Sequence, residues 1–204
     1  MITVVDYGSG NLASVVNMGR KAGGDLQISS DPRVVAEAEK IILPGVGAFA
    51  RAMSNLRDRG LIPALQHAVM ERQVPILGLC VGMQLLSRRS EEGAAEGLGW
   101  IAADTYRFDC DRTHGLRVPH MGWNHVQVAK ADPLVATLPE RPRFYFVHSY
   151  YVRCDDDRDV LLWSEHGPRF AAAIQHGHIR GAQFHPEKSH QFGLALFRQF
   201  VALR

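Results

Sequence analysis

Cysteine is scarce in this 204-residue chain, with three residues, Cys80, Cys110 and Cys154. Odd in number and far apart, they exclude a disulfide framework or a zinc ribbon. No apolar run reaches the length of a membrane span, so a membrane partner is not expected. The opening Met1-Ile2-Thr3-Val4-Val5-Asp6 lacks the basic start and apolar stretch of a secretory signal. Net charge is also nearly absent: 23 Lys and Arg against 21 Asp and Glu leave +2, which gives no footprint for non-specific nucleic-acid binding. No repeat, low-complexity tract or Pro/Gly/Ser linker divides the chain. What is present, 46% hydrophobic and 22% charged residues, is a globular composition at a length that buries a core unaided. The expectation is one cytoplasmic, reduced domain over residues 1–204.

The first half alternates short β-branched runs with longer amphipathic stretches. Strands are expected at Ile2–Val5, Leu26–Ile28, Ile41–Leu43 (stopped by Pro44-Gly45) and Pro75–Leu79. Helices are expected at Asn11–Lys21, after the Asp31-Pro32 start, over Phe49–Gln73 with a break near Gly60, and at Val81–Arg88. All-apolar strands in a βαβα rhythm imply a parallel sheet covered on both faces. The second half reads as strands at Val126–Val128, Arg143–Val147, Tyr150–Val152, Val160–Trp163, Phe170–Gln175 and Gly181–Phe184, with Asp155–Asp159 as a solvated turn and a last helix near Gln191–Leu203. The fold class is α/β, an open, mixed and largely parallel sheet flanked by helices.

Gly78-Leu79-Cys80-Val81-Gly82-Met83-Gln84 carries the most chemistry. It is a G-x-C-x-G turn between an apolar strand and a helix, the thiol counterpart of a nucleophile elbow. A cysteine there sits at a helix N-terminus, where orphan N–H groups favour thiolate, and the Val81 N–H faces a developing oxyanion. Gln84, one turn on, shares the nucleophile's face. A thiol nucleophile needs a histidine and an orienting group. In Gln183-Phe184-His185-Pro186-Glu187-Lys188-Ser189, His185 and Glu187 project from one face of an extended segment at a strand end. A buried structural cysteine and an ordinary surface turn are the alternatives.

Two glycine turns follow strands. Gly45-Val46-Gly47 lacks the Gly-Lys-Ser/Thr ending of a phosphate loop, but its glycines allow a peptide to rotate toward an oxyanion. Gly8-Ser9-Gly10-Asn11-Leu12-Ala13 fits a relaxed dinucleotide pattern without a firm acidic partner downstream. His176-Gly177-His178 is explained by a hairpin turn, and no ligand spacing supports a metal. Neither metal nor cofactor is expected.

Cysteine first, with His-x-Glu about a hundred residues later, resembles the class I (triad) glutamine amidotransferases, whose fold is flavodoxin-like. More narrowly, the chain is similar to the glutaminase subunits of imidazole glycerol phosphate synthases. The segments that carry this likeness are Tyr7–Leu12, Pro44–Phe49, Pro119-His120-Met121-Gly122-Trp123-Asn124, Tyr145–Tyr150 and His185–Ser189. Val81 stands where that family often has leucine. The resemblance implies Cys80 as nucleophile on the carboxamide of L-glutamine, His185 as proton carrier and Glu187 as its orienting group. It implies oxyanion donors from Val81 and from the Val46–Gly47 turn, and glutamine contacts from Gly47, Gln84, Ser149 and Tyr150. It further implies a heterodimer with a (β/α)8-barrel cyclase that receives the ammonia, with Asn11, Met121, Trp123 and Lys188 at the interface. Gly8-Ser9-Gly10 then belongs to that partner surface. For Trp123, core packing is the alternative to an exposed hot spot. Service to another synthase, a nucleotide-binding regulatory module and an inactive interaction subunit are the rival functions.

Overall fold

A computed structural model describes residues 1–109 and 116–203 of the chain. Cys110 lies outside the described residues. The first half runs β1 (Ile2–Val5), α1 (Leu12–Lys21), β2 (Leu26–Ser29), α2 (Pro32–Ala36), β3 (Ile41–Gly45), α3 (Phe49–Asp58), α4 (Leu61–Gln66), β4 (Ile76–Cys80) and α5 (Val81–Gln84). The second half runs β5 (Arg89–Ser90), β6 (Ala95–Glu96), β7 (Ala103–Arg107), β8 (His120–His125), β9 (Gln127–Val128), β10 (Arg143–His148), β11 (Tyr150–Cys154), β12 (Val160–Glu165), β13 (Arg169–His176), β14 (Ile179–Ala182) and α6 (His190–Ala202).

Local chemistry explains most boundaries. Asn11 caps α1 by accepting from the Ser14 N–H at 3.4 Å, and Asp31 caps α2 by accepting from Arg33 N–H at 2.9 Å ahead of Pro32. Gly60, at φ +65°, separates α3 from α4 in a conformation that β-carbon-bearing residues resist. Among the described residues, eight strands form one sheet in the order β2-β1-β3-β4-β14-β13-β12-β9. The pairs from β2 to β14 are parallel, and those from β14 to β9 are antiparallel. Alternate residues of the parallel strands feed two apolar clusters. Ile41, Leu43 and Ile76 join Phe49, Leu56 and Leu65 of α3 and α4, whereas Ile42 and Leu77 join Val15 of α1 and Leu196, Phe197 and Phe200 of α6. This is the mixed, largely parallel α/β architecture expected.

Several boundaries differ from expectation. The helix expected over Val81–Arg88 stops at Gln84: the Ser87 hydroxyl donates to the Gln84 carbonyl at 2.7 Å, and Arg88 N–H leaves to pair with Ala103. Strand β3 runs on through Pro44 and Gly45, since its register with β4 continues to Gly45 beside Cys80. Strand β14 begins at Ile179 and ends at Ala182, two residues earlier than read. Residues His120–His125, which have no β-branched member, form β8 because β10 pairs with them along its whole length. β5, β6 and β7 are likewise additional, and together with β11 they make a separate four-stranded sheet. The acidic run is only partly a solvated turn: Asp155 takes both ends of the Arg88 guanidinium at 2.7 and 2.8 Å, and Asp159 meets His176 at 2.9 Å.

A buried ion pair ties the sheet to the segment between β9 and β10. Arg180 of β14 donates to both carboxylate oxygens of Asp132 at 3.0 and 2.8 Å, and both side chains are buried. Removing one partner strands the other charge in an environment that cannot solvate it. Asp132→Ala is therefore expected to lower unfolding free energy by about 3–5 kcal/mol, measured by chemical denaturation.

Candidate active site

The parallel strands β3, β4 and β14 deliver their C-terminal ends to one edge of the sheet, where open α/β sheets gather ligands. Cys80 ends β4 and precedes α5 without a break. Its backbone is held at φ +53°, ψ −111°, a strained conformation for a residue with a β-carbon. The neighbouring glycines make this turn feasible. A β-carbon on Gly78 would lie 2.5 Å from the Gly82 carbonyl oxygen, and one on Gly82 would lie 1.8 Å from the Leu43 carbonyl oxygen. Both glycines of the G-x-C-x-G pattern are thus required by backbone-to-backbone contact.

His185 follows β14 and reaches the same place. Its Nδ1 is 2.7 Å from Glu187 Oε1, and both side chains are buried. Its backbone N–H donates to the Tyr145 carbonyl of β10 at 2.9 Å. Ser189 completes a ring: its hydroxyl donates to the His185 carbonyl at 2.6 Å and accepts from the Tyr145 N–H at 3.0 Å. Burial presses the imidazole toward neutrality, but hydrogen bonds to Cys80 and Glu187, with their charge, raise its pKa to about 9. His185 therefore holds its proton at neutral pH. Glu187 Oε2 has no hydrogen-bond partner among the described residues.

Cys80 opens onto a cavity of about 520 Å³ lined by Val46, Gly47, Val81, Gln84, Glu92, Ser149 and Tyr150, among others. The Gly45-Val46-Gly47 turn forms one wall, with Gly47 at φ +87°. Val46 does not aim its N–H into the cavity. That N–H donates to the Ser9 hydroxyl at 3.0 Å, and the same hydroxyl donates to the Val46 carbonyl at 2.7 Å. A β-carbon on Gly10 would come within 3.1 Å of Pro44, so the Gly8-Ser9-Gly10 turn lies directly against the Pro44–Gly47 turn. Gln84 turns its amide nitrogen to the Tyr150 carbonyl at 3.1 Å and to Gln183 Oε1 at 3.0 Å.

The structure brings Cys80, His185 and Glu187 together, and puts Val81, Gly47, Gln84, Ser149 and Tyr150 around one cavity. Met121 and Trp123 are exposed on β8, at 63% and 42%, which removes core packing as the account of Trp123. Trp123 meets the Tyr145 ring edge-on at 6.3 Å and stacks on His190 at 5.5 Å, while Lys188 lies over Tyr145 at 5.9 Å. Asn11 is exposed at the head of α1. His176 and His178 flank Gly177 in the β13–β14 hairpin, and their rings bond elsewhere, to Asp159 and to the Val69 carbonyl. Sequence reasoning missed Glu92, Gln183 and the bonds of Ser9 to Val46. Glu92 sits in an acidic, unpatterned stretch, and its Oε2 also accepts from the Phe49 N–H at 2.8 Å, at the start of α3. Nothing in local spacing reveals that contact.

The chain thus sets a strained cysteine elbow and a buried histidine–glutamate pair at one edge of a mixed α/β sheet. Residues 3–203 match the family described as glutamine amidotransferase class-I, and the chain belongs to it. It is 48% identical, over the whole of both chains, to the imidazole glycerol phosphate synthase subunit HisH 2 of Pseudomonas aeruginosa. It is 46% identical to the HisH 2 subunit of Methanococcus maripaludis, over 98% of each chain. Among solved structures, a glutamine amidotransferase superposes with a TM-score of 0.77 at 16% identity, covering 100% of both chains. PurLQS from Thermotoga maritima superposes with a TM-score of 0.72 at 19% identity, covering 98% of this chain and 97% of that one. At such identities the two structures support the fold alone.

The raised His185 pKa has a definite sign. Stabilisation from the protonated ring is full below about pH 6.5 and is lost as pH rises through about 9. Glu187→Gln and Cys80→Ala each remove a group that favours the imidazolium. Followed by NMR, the His185 titration midpoint is expected near 9 in the natural chain and lower in either variant.

Proposed function

We propose that the chain is the glutaminase subunit of an imidazole glycerol phosphate synthase. It hydrolyses glutamine to glutamate and ammonia and passes the ammonia to a cyclase subunit in histidine biosynthesis. The observation that carries this reading is the strained Cys80 turn at the wall of one cavity, with the buried His185–Glu187 pair bonded to it from behind the wall. The HisH names of relatives matched along their whole length support the particular synthase.

In this reading residues 1–204 work as one amidotransferase domain. Cys80 attacks the side-chain carboxamide of glutamine, forming a C–S bond and an oxyanion. As the C–N bond breaks, His185 gives its proton to the departing ammonia, leaving a thioester on Cys80. The neutral ring then takes a proton from water, whose oxygen displaces the sulfur and releases glutamate. Glu187 holds Nδ1 so that the opposite ring nitrogen serves the thiol. The Val81 N–H, at the first position of α5, is one oxyanion donor. A rotated peptide in the Val46–Gly47 turn is the second. Gly47, Gln84, Ser149 and Tyr150 hold the substrate, and the Glu92 carboxylate on the cavity wall suits its α-ammonium group.

The partner in this reading is a (β/α)8-barrel cyclase, bound as a heterodimer in the cytoplasm. Met121, Trp123 and Lys188 surround Tyr145 in an exposed aromatic and basic patch with the make-up of a hot spot, and Asn11 adds a polar contact. Direct transfer matters because ammonia released into water near neutral pH becomes non-nucleophilic ammonium. The Ser9 hydroxyl, which occupies both backbone groups of Val46, keeps the second oxyanion donor turned away until the partner docks.

Two measurements test this. Glutamate release in the presence of the cyclase and its nucleotide ligand is expected to vanish in Cys80→Ala, and in the natural chain to rise strongly when the cyclase is added. Equal turnover with and without the cyclase would sink the gating. Ser9→Ala, which removes two hydrogen bonds worth about 0.5–1.5 kcal/mol each, is expected to raise the cyclase-free rate by roughly tenfold.

A further inference from the structure

We propose that Gln183 is a further functional residue of this site: its side-chain amide donates to the Cys80 sulfur and steadies the thiolate. The proposal rests on Cys80 being the nucleophile. Gln183 is fully buried, and its Nε2 lies 3.8 Å from Cys80 Sγ. The sheet itself makes them neighbours, because β14 and β4 are parallel with Ala182 opposite Leu79, and each strand's next residue is Gln183 or Cys80.

The direction of the amide does not depend on how its two ends are assigned. The fixed point is the Tyr150 carbonyl, which can only accept. It lies 3.1 Å from the end of the Gln84 amide, so that end is the NH₂ group. The same NH₂ is 3.0 Å from the Gln183 amide, so Gln183 turns its oxygen to Gln84. Its NH₂ is left for the sulfur. A hydrogen bond to an ionised sulfur favours the thiolate over the thiol, and also fixes the sulfur's position for attack.

A second run of hydrogen bonds also ends on the Tyr150 carbonyl. His148 Nδ1 is 2.8 Å from it and must donate, which makes His148 Nε2 an acceptor. His120 Nδ1, 3.0 Å away, therefore donates to His148, and His120 Nε2 accepts from Asn124 Nδ2 at 3.2 Å. The order requires neutral rings. Burial, together with the neighbouring His166, lowers the His120 pKa to about 4; burial lowers that of His148 to about 3. One directed set of donors thus runs from Asn124 of β8 to the Tyr150 carbonyl, and a second runs from that carbonyl's other donor, Gln84, to Gln183 and the sulfur. His185 and the Tyr7 hydroxyl also lie near Cys80, the hydroxyl engaged with the Pro44 carbonyl at 2.6 Å.

Gln183 does not line the cavity, and without it Gln84 keeps its bond to the Tyr150 carbonyl, so its loss is expected to spare substrate affinity. In the complex with the cyclase, Gln183→Met is expected to lower kcat for glutamate release by about tenfold while KM for glutamine stays within about twofold. The ultraviolet thiolate band, taken as a difference from Cys80→Ala, is expected to weaken in the same variant. Should Gln183→Met fail to fold, Gln183→Asn keeps a polar side chain and withdraws the donor by one methylene, with the same loss expected. A folded variant with natural kcat and an undiminished thiolate band overturns the proposal. Glutamate release by Cys80→Ala would instead remove the nucleophile assignment. The thiolate band reads the Gln183–sulfur contact without glutamine, so the two failures are distinguishable.

Discussion

The close approach of two backbones beneath Cys80 is the constraint on which the site depends. Gly82 lies so near Leu43, and Gly78 so near Gly82, that neither position has room for a methyl group. This packing presses the start of α5 against the end of β3 and holds Cys80 at a positive φ. The thiol is thereby lifted out of the sheet, with the first N–H groups of α5 beside it. Gly45 belongs to the same contact, because a β-carbon there would meet the Tyr7 hydroxyl and the Gly82 nitrogen. Cys80, the Val81 N–H and the start of the Gly45–Gly47 turn are therefore set by one steric arrangement rather than by three.

Around that rigid point the polar groups are nearly all paired. His185 is held by Glu187 through its ring and by Tyr145 through its backbone, and Gln84 and Gln183 satisfy each other beneath the cavity. Glu187 Oε2 is the exception. A buried network this complete limits the motions available to Cys80, His185 and Glu187. Beyond Gly45 the turn is different: a single serine hydroxyl takes both backbone groups of the exposed Val46, and Gly47 contributes no side chain to resist rotation. Rigidity and freedom are thus assigned to different segments of the same cavity wall.

Where residue type and short-range pattern decide the structure, the sequence was legible. The parallel half followed from apolar strands, from Asp31-Pro32 and Gly60, and from glycines placed two residues either side of Cys80. His185 and Glu187 were readable because both lie on one short segment. Long-range pairing was not legible. β8 has no strand-forming pattern and exists because β10 lies beside it. α5 stops at Gln84 because Arg88 is drawn into pairing with Ala103. Ser9 and Val46 are 37 residues apart, and Gln84 and Gln183 are 99 apart, so no local spacing could announce either contact.

The ring that joins Tyr145, His185 and Ser189 has one more consequence. Tyr145 supports the triad segment through its main chain only, by one N–H and one carbonyl, while its side chain lies outward between Trp123 and Lys188. Main-chain bonds are indifferent to which residue supplies them. The outer side chain can therefore change over evolutionary time, altering what this face recognises, while the support beneath the histidine is inherited intact.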